Sequence, residues 1–164
     1  MRGNKTISFV LVIFGFLILQ VLISNSIAVW GIKPDFFLIA LVFFSLEKNL
    51  RFGLLLGLVL GLLKDIFSAG VLGVNAFAFG LCGLIAGRYA KFIYKEGIFS
   101  QFIIVFCSGI FVGLLYYLLS AFTELPVSKD LFKVIILPAS AYTGIIALPL
   151  FWLLRRLFCR EKQK

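Results

Sequence analysis

The sequence predicts an all-α integral membrane protein with six transmembrane helices in a single domain. Hydrophobic residues make up 62% of the 164 residues, and the mean hydropathy is +1.13. A soluble domain of this length does not need so much apolar surface, whereas helices that face lipid do. Short polar or basic turns separate six apolar spans, numbered one to six along the chain, at about 6–24, 34–46, 52–64, 75–88, 98–119 and 133–154. We therefore expect one compact membrane unit covering residues 1–164.

Charge and residue types argue against several classes of function. The formal net charge is +9, but the basic residues sit between apolar runs and line no polar face, so nucleic-acid binding is not indicated. There is no histidine and no G-x-S-x-G, H-E-x-x-H or P-loop motif, so we predict no enzyme and no cofactor. Cys82, Cys107 and Cys159 have no C-x-x-C spacing, and we interpret them as small hydrophobic side chains and not as metal ligands.

Span one follows a basic N-terminus with Arg2 and Lys5. A secretory signal peptide is the alternative, with the Ser-Ile-Ala of residues 26–28 as a weak cleavage site. The apolar run of 7–23 exceeds the ~7–15 residues usual in such a peptide, so we interpret it as a retained span. Trp30, in the loop that follows, is expected to anchor the chain at the membrane interface.

Spans two and three are short. Pro34 and Asp35 open span two, and Pro34 suits the first turn of a helix because its missing N–H would be unpaired there. The two apolar cores have about 12–13 residues, whereas a bilayer usually takes ~20, so a re-entrant hairpin is the alternative. That hairpin would bury Lys48 and Arg51 at its tip, at roughly 2.5–3.5 kcal/mol each. Two full spans place both side chains among the headgroups, and we prefer that arrangement.

Residues at intervals of four mark one side of span three: Gly53, Gly57, Gly61 and Asp65. Each step of four rotates about 40° around a helix, so these residues form a slowly drifting stripe. Glycines in such a stripe let a second backbone approach closely, which is how helices associate in lipid. The second helix is either part of this chain, as internal packing, or it belongs to a partner or a second copy.

The segment between spans three and four is expected to be a loop over residues 64–74 that is rich in small residues, with Gly73 available for positive φ. Asn75 is the predicted N-cap of span four. Small residues recur along span four at intervals of four, three and four and predict a second close-packing face: Ala76, Gly80, Gly83 and Gly87. Arg88 then begins a basic turn.

Spans five and six are longer. Gly109 and Gly113 form a further pair of small residues in span five, and we expect them to pack closely against another helix. Pro138 and Pro149 lie within span six and are expected to kink it.

The distribution of basic residues predicts the orientation. With the N-terminus in the cytoplasm, the outer segments hold only Lys33, Lys64, Lys129 and Lys133 of the 16 basic residues. The cytoplasmic segments then hold the remainder: Arg2, Lys5, Lys48, Arg51, Arg88, Lys91, Lys95, Arg155, Arg156, Arg160, Lys162 and Lys164. The positive-inside rule therefore places both termini in the cytoplasm.

Asp35 and Asp65 are the candidate functional carboxylates, because an acidic side chain at a membrane boundary is costly unless it is paired or hydrated. They could lie on the same side of the membrane and form a pair. Alternatively, each forms an interface ion pair with a lysine within two residues, Lys33 or Lys64. Asp65 could also accept N–H bonds from the start of span four and so hold that span against span three.

The stretch 34–88 resembles the rod shape-determining protein MreD family of bacterial inner membranes. The matching features are Pro34-Asp35 at the start of span two, Gly53, Gly57, Gly61 and Asp65 in span three, Leu72-Gly73-Val74-Asn75 before span four, and Gly87-Arg88 at its end. Chain length, the six-span layout and the basic termini also agree with this family.

The resemblance implies a non-enzymatic component of the cell-elongation machinery that supports peptidoglycan synthesis. The implied partners are the bitopic protein MreC, the MreB filament, and a SEDS polymerase with its transpeptidase. The family also looks like the substrate-binding subunits of energy-coupling-factor vitamin transporters, which implies a six-helix fold with an outward-facing pocket. In physical terms the protein is expected to be an adaptor whose small-residue faces dock partner helices. Anionic lipid and a second copy of the chain are further candidate partners.

The main alternative is a vitamin-binding transporter subunit. Such subunits usually carry an Ala-x-x-x-Ala face on the first helix, whereas residues 6–24 contain no alanine and only Gly15. They also concentrate polar ligand-binding residues in outer loops, where Asn75 and Glu124 are among the few candidates here. A membrane enzyme of lipid metabolism would need a carboxylate cluster such as a repeated D-x-x-x-D, and the acidic residues of this chain are scattered.

Overall fold

The computed structural model describes residues 11–23, 26–28, 32–68, 71–90, 97–122 and 136–158. Within these residues the chain forms six helices: α1 Leu11–Leu22, α2 Phe36–Glu47, α3 Leu50–Ser68, α4 Val74–Tyr89, α5 Ile98–Phe122 and α6 Leu137–Phe158. A π-helical turn, Leu19–Ile23, closes α1. The described part contains no β-strand, so the all-helical prediction is confirmed there. Several residues discussed above lie outside the described part of the chain, among them Trp30, Glu124, Lys129, Lys133 and Cys159.

Helix α2 is the centre of the bundle. Every residue from Phe36 to Leu46 is buried, and α3, α4, α5, α6 and the end of α1 all contact it. A helix that is apolar on every side is typically buried on every side, and this sequence follows that rule. Its 12 residues span only about 18 Å, which is less than the ~30 Å of a bilayer core. The neighbouring helices, and not lipid, therefore surround α2.

Helices α3 and α4 form an antiparallel hairpin with direct backbone contact. A Cβ atom added to any of the three stripe glycines would overlap the backbone of α4. The contacts pair Gly53 with Gly83, Gly57 with Phe79 and Gly61 with Ala76. Further along, a Cβ on Gly87 would lie 2.8 Å from the Cα of Leu50, so the approach continues to the start of α3. The absence of side chains allows this contact over the full length of α4.

The partner of the glycine stripe is thus another helix of the same chain. Of the two interpretations of Gly53, Gly57 and Gly61, the geometry supports internal packing, because α4 covers all three. Gly80 faces a side chain of α3 and not its backbone, since a Cβ there would lie 3.1 Å from the side chain of Leu58. A partner helix has no access to this stripe while the hairpin is intact.

Helices α5 and α6 form a second antiparallel pair. A Cβ on Gly109 would lie 2.7 Å from Oγ of Ser140, and one on Gly113 would lie 2.5 Å from Cγ2 of Ile136. These two helices contain the stretches long and apolar enough to cross a membrane, Phe99–Leu119 and Leu137–Arg156. The apolar helices α1, α2 and α4 are shorter.

Some local predictions are wrong. Helix α3 continues to Ser68, so Lys64 and Asp65 lie in the helix and not in a loop. Asp35 is the N-cap of α2, which places Pro34 before the cap and not in the first turn. Pro138 is the second residue of α6, and the residues before Ile136 lie outside the described part of the chain, so the kink expected at Pro138 stays a prediction. Pro149 does lie inside α6.

The alternating helix directions give the bundle two different ends. Helices α2, α4 and α6 begin, and α3 finishes, at what we call the polar end, which carries Lys33, Asp35, Lys64 and Asp65. The opposite, basic end carries Lys48, Arg51, Arg88, Arg155 and Arg156. The one acidic residue among the described residues of the basic end is Glu47.

Gly57→Leu is expected to remove most of the folded protein. A leucine side chain cannot fit between the backbones of α3 and α4, and lipid offers no hydrophobic compensation for separating them. Leu58→Ile, a swap between side chains of the same size at a position 36% exposed on the same helix, is the control. Yield of the monodisperse species in detergent is the measurement. Equal yields of the two variants would contradict the described packing.

Candidate functional site

Asp65 forms the centre of the polar end. Its side chain is 1% exposed, and its carboxylate oxygens accept four hydrogen bonds. Three come from backbone N–H groups, those of Gly73 at 2.9 Å, Asn75 at 3.1 Å and Ala76 at 3.2 Å. The fourth comes from Nδ2 of Asn75 at 2.8 Å. The carboxylate of α3 therefore caps the first turn of α4, where unpaired N–H groups and the helix dipole both favour negative charge.

The turn before α4 makes this cap possible. Gly73 is the N-cap residue, with φ of +100°, a conformation that glycine adopts without steric cost. Glycine has no side chain that could cap the helix, so Asp65 supplies the acceptor from the neighbouring helix. The prediction that Asn75 is the N-cap is wrong. Asn75 lies inside the first turn and donates to Asp65 through both its backbone and its side chain.

Asp35 has the corresponding role at the start of α2. Oδ1 of Asp35 accepts a hydrogen bond of 3.0 Å from the backbone N–H of Leu38, the usual geometry of an N-cap. Oδ2 forms an ion pair with Nζ of Lys64 on α3. The Asp35 and Lys64 side chains are 18% and 27% exposed, so the pair is only partly hydrated.

Two further polar residues tie α1 and α6 to this end. The backbone N–H of Phe36 donates to Oε1 of Gln20 at 2.7 Å, and the backbone N–H of Asp35 donates to Oγ1 of Thr143 at 3.1 Å. The Thr143 hydroxyl in turn donates to the carbonyl oxygen of Ala139 at 2.7 Å. The first N–H groups of α2, which no helix can satisfy internally, thus find acceptors on α1 and α6.

The pairing of charges differs from the sequence expectation. Lys64 pairs with Asp35, 29 residues away, and not with the adjacent Asp65. Its ammonium group also lies 4.7 Å from the centroid of the Phe79 ring, a favourable cation–π distance. Asp65 is satisfied by N–H donors of α4 instead. The two carboxylates lie at the same end of the bundle, but each has its own partners and they do not form an acid–base pair.

The remaining candidate residues have other positions. Pro34 is buried directly before Asp35, while Arg88 is exposed at the basic end. The small residues of α3 and α4 lie along the hairpin between the two ends. Within the described residues, no group of three or more His, Cys, Asp or Glu side chains could hold a metal ion.

Sequence reasoning missed Gln20 and Thr143 as parts of the site. A signal was available, because each is a polar residue within an otherwise apolar helix, and such residues are costly in a membrane unless they have partners. The sequence does not show which backbone groups they meet, since their partners lie 16 and 108 positions away.

A cavity of about 320 Å³ lies next to this network. Its walls come from the start of α2, the ends of α3 and α4 at the polar end, and the facing segments of α5 and α6. Lys33, Asp35 and Lys64 line its polar side, whereas Leu38 and Val112 line its apolar side.

The family model of the rod shape-determining protein MreD matches residues 1–162. The chain belongs to the MreD family. No curated protein and no solved structure matches the chain. MreD proteins are membrane proteins that act in rod shape determination and are not a known enzyme family, so the resemblance and the membrane class predicted from the sequence are both confirmed.

Asp65→Ala is expected to destabilise the fold by at least about 2 kcal/mol, because the loss of the cap leaves several buried donors of α4 unsatisfied. Asp65→Asn keeps the shape and part of the hydrogen bonding, so its stability should lie between that of Asp65→Ala and the unchanged protein. Thermal unfolding in detergent measures both, with cell-shape complementation as the functional readout.

Ser68→Ala is the control for this pair of variants. Ser68 is exposed three residues further along α3, and its hydroxyl donates to the carbonyl oxygen of Lys64. We expect its stability to stay within about 0.5 kcal/mol of the unchanged protein. If Asp65→Ala unfolds at the same temperature as Ser68→Ala and complements fully, the cap is not important to fold or function.

Proposed function

We propose that this MreD-family chain is a non-enzymatic membrane adaptor of the rod complex, which supports peptidoglycan synthesis by docking membrane helices of its partners. The observation that carries the proposal is the family match over residues 1–162. The proposed partners are an MreC-type bitopic protein, the MreB filament, and the SEDS polymerase with its transpeptidase. The vitamin-transporter alternative has no support from the family match.

A rigid hairpin supports an adaptor role. Backbone contact along the glycine stripe and the Asp65 cap fix α3 against α4 in one register. Such a platform presents its outer side chains in a constant arrangement, so a partner helix does not have to order them on binding.

The docking surface we propose is the outer face of α3. Its side chains recur at helical spacing on the side opposite the glycine stripe: Leu55, Val59, Leu62 and Ile66. They are 62%, 54%, 45% and 64% exposed, although the glycine side of the same helix is buried. The occupant we propose is the transmembrane helix of the MreC-type partner. Because the inner stripe is covered by α4, this outer face replaces it as the docking site.

The orientation we propose places the basic end in the cytoplasm. Five Lys or Arg side chains and one carboxylate lie at that end among the described residues, whereas lysines and aspartates balance at the polar end. This asymmetry follows the positive-inside rule. It directs the basic end toward a cytoplasmic filament and the polar end toward the compartment in which peptidoglycan is assembled.

Val59→Trp is expected to lower co-purification of the MreC-type partner on the order of tenfold, the effect of losing about 1.4 kcal/mol at a central contact. The bulky ring would block a docked helix, but lipid can adapt to it, so the yield of folded protein should not change. Leu114→Trp, at a position 42% exposed on α5, is the control. Pull-down and cell-shape complementation are the measurements. Equal pull-down by both variants would rule out this face, whereas normal rod shape after depletion of the protein would rule out the adaptor function itself.

Cysteine labelling tests the orientation. In a background without Cys82, Cys107 and Cys159, a cysteine at Leu72 should react with an impermeant reagent in intact cells, and one at Lys48 should react only after lysis. Leu72 is 69% exposed at the polar end, and Lys48 is exposed at the basic end. Labelling of position 48 but not 72 in intact cells would reverse the topology.

A further inference from the structure

We propose that the cavity at the polar end binds an anionic amphiphile, that is, a molecule with a phosphate or carboxylate group attached to an apolar body. The site is independent of the docking face on α3, because it lies between α2, α5 and α6 and the ends of the hairpin.

The size of the cavity favours a small ligand or part of a larger one. About 320 Å³ is at the lower end of the range of known ligand pockets, which runs from roughly 300 to 1,000 Å³. Gly109 and Gly113 line the cavity where α5 packs closely against Ser140 and Ile136 of α6. A whole phospholipid does not fit, but a lipid headgroup or a small soluble molecule does.

The charge of the lining favours an anion. Lys33 and Lys64 contribute two positive charges and Asp35 contributes one negative charge, so the lining has a net charge of +1. Asp35 is already paired with Lys64. Lys33 is exposed and makes no ion pair within the described residues, which leaves its ammonium group available to a ligand.

Two other polar groups of the wall already donate hydrogen bonds within the protein. The hydroxyl of Ser140 donates to the carbonyl oxygen of Ile136 at 2.7 Å, and that of Thr143 donates to Ala139. Their protons are therefore not free for a ligand, and the lysines are the charged donors of the wall. Lysine is a compact point charge that suits phosphate and carboxylate alike.

The apolar part of the lining completes the amphiphilic character. Leu38, Val112, Ile136 and Ala139 line the cavity beside the charged residues. A pocket with mostly apolar walls and a few placed polar groups is typical of sites that bind small molecules. An anion with an apolar body satisfies both parts, whereas a hydrated inorganic ion would leave the apolar wall uncovered.

Native mass spectrometry of the purified full chain in neutral detergent tests the proposal. The probes are dioctanoyl phosphatidylglycerol, dioctanoyl phosphatidylcholine with the same acyl chains, and glycerol 3-phosphate. We expect one molecule of phosphatidylglycerol to bind, with an affinity at least about fivefold higher than that of phosphatidylcholine, from about 1 kcal/mol per basic residue. Binding of phosphatidylglycerol without binding of glycerol 3-phosphate would support an amphiphile, whereas equal affinity for glycerol 3-phosphate, which has no apolar body, would overturn it.

Variants of the lining separate the cavity from general surface attraction. Lys33→Gln should lower the affinity for phosphatidylglycerol about fivefold, whereas Lys33→Arg should retain it. Ala139→Leu should lower binding by filling the cavity, while Ala141→Leu, on the same helix outside the lining, should not. Folded yield is recorded for each variant. Equal affinity for the two phospholipids, equal behaviour of Lys33→Gln and Lys33→Arg, or no binding of any probe would overturn the proposal.

Discussion

The bond between the carboxylate of Asp65 and the first turn of α4 is the constraint on which the packing depends. The close backbone contact depends on register, because a shift of one or two residues along α3 would place side chains and not glycines against the backbone of α4. The four hydrogen bonds to Asp65 fix that register at one end of the hairpin. They also satisfy a buried charge and the free N–H groups of a helix, two features that would each be costly alone.

Asp35 repeats this solution at the start of the central helix and adds links to three neighbours. Its carboxylate meets Lys64 on α3, and the first N–H groups of α2 meet Gln20 on α1 and Thr143 on α6. The polar contacts described above lie at one end of the bundle, while the middle is held by apolar packing and backbone contact. The cavity lies next to these contacts, where the walls include both charged and apolar residues.

The sequence predicts the all-helical class and the close-packing faces well, because both depend on local spacing. Glycines at intervals of four mark a face wherever the helix lies, but the spacing does not show that α4 is the helix that covers Gly57. The sequence also does not show which charged residues form a pair. Lys64 is adjacent to Asp65 in sequence, yet neighbouring residues on a helix point in different directions, and its partner is Asp35 on another helix. The end of α3 was predicted too early because Lys64 and Asp65 have the composition of a loop, although partners from other helices allow both to stay helical.

The position of α2 has a consequence for the order in which the protein is made. The second helix to leave the ribosome is the one that the finished molecule encloses most completely, and the bond from Asp35 to Thr143 waits for a residue synthesised 108 positions later. Until then, a helix too short to match the bilayer has to be accommodated by thinned lipid or by temporary neighbours. The packing around α2 is therefore complete only after the last helix has been inserted. Each later helix replaces lipid around α2 with protein.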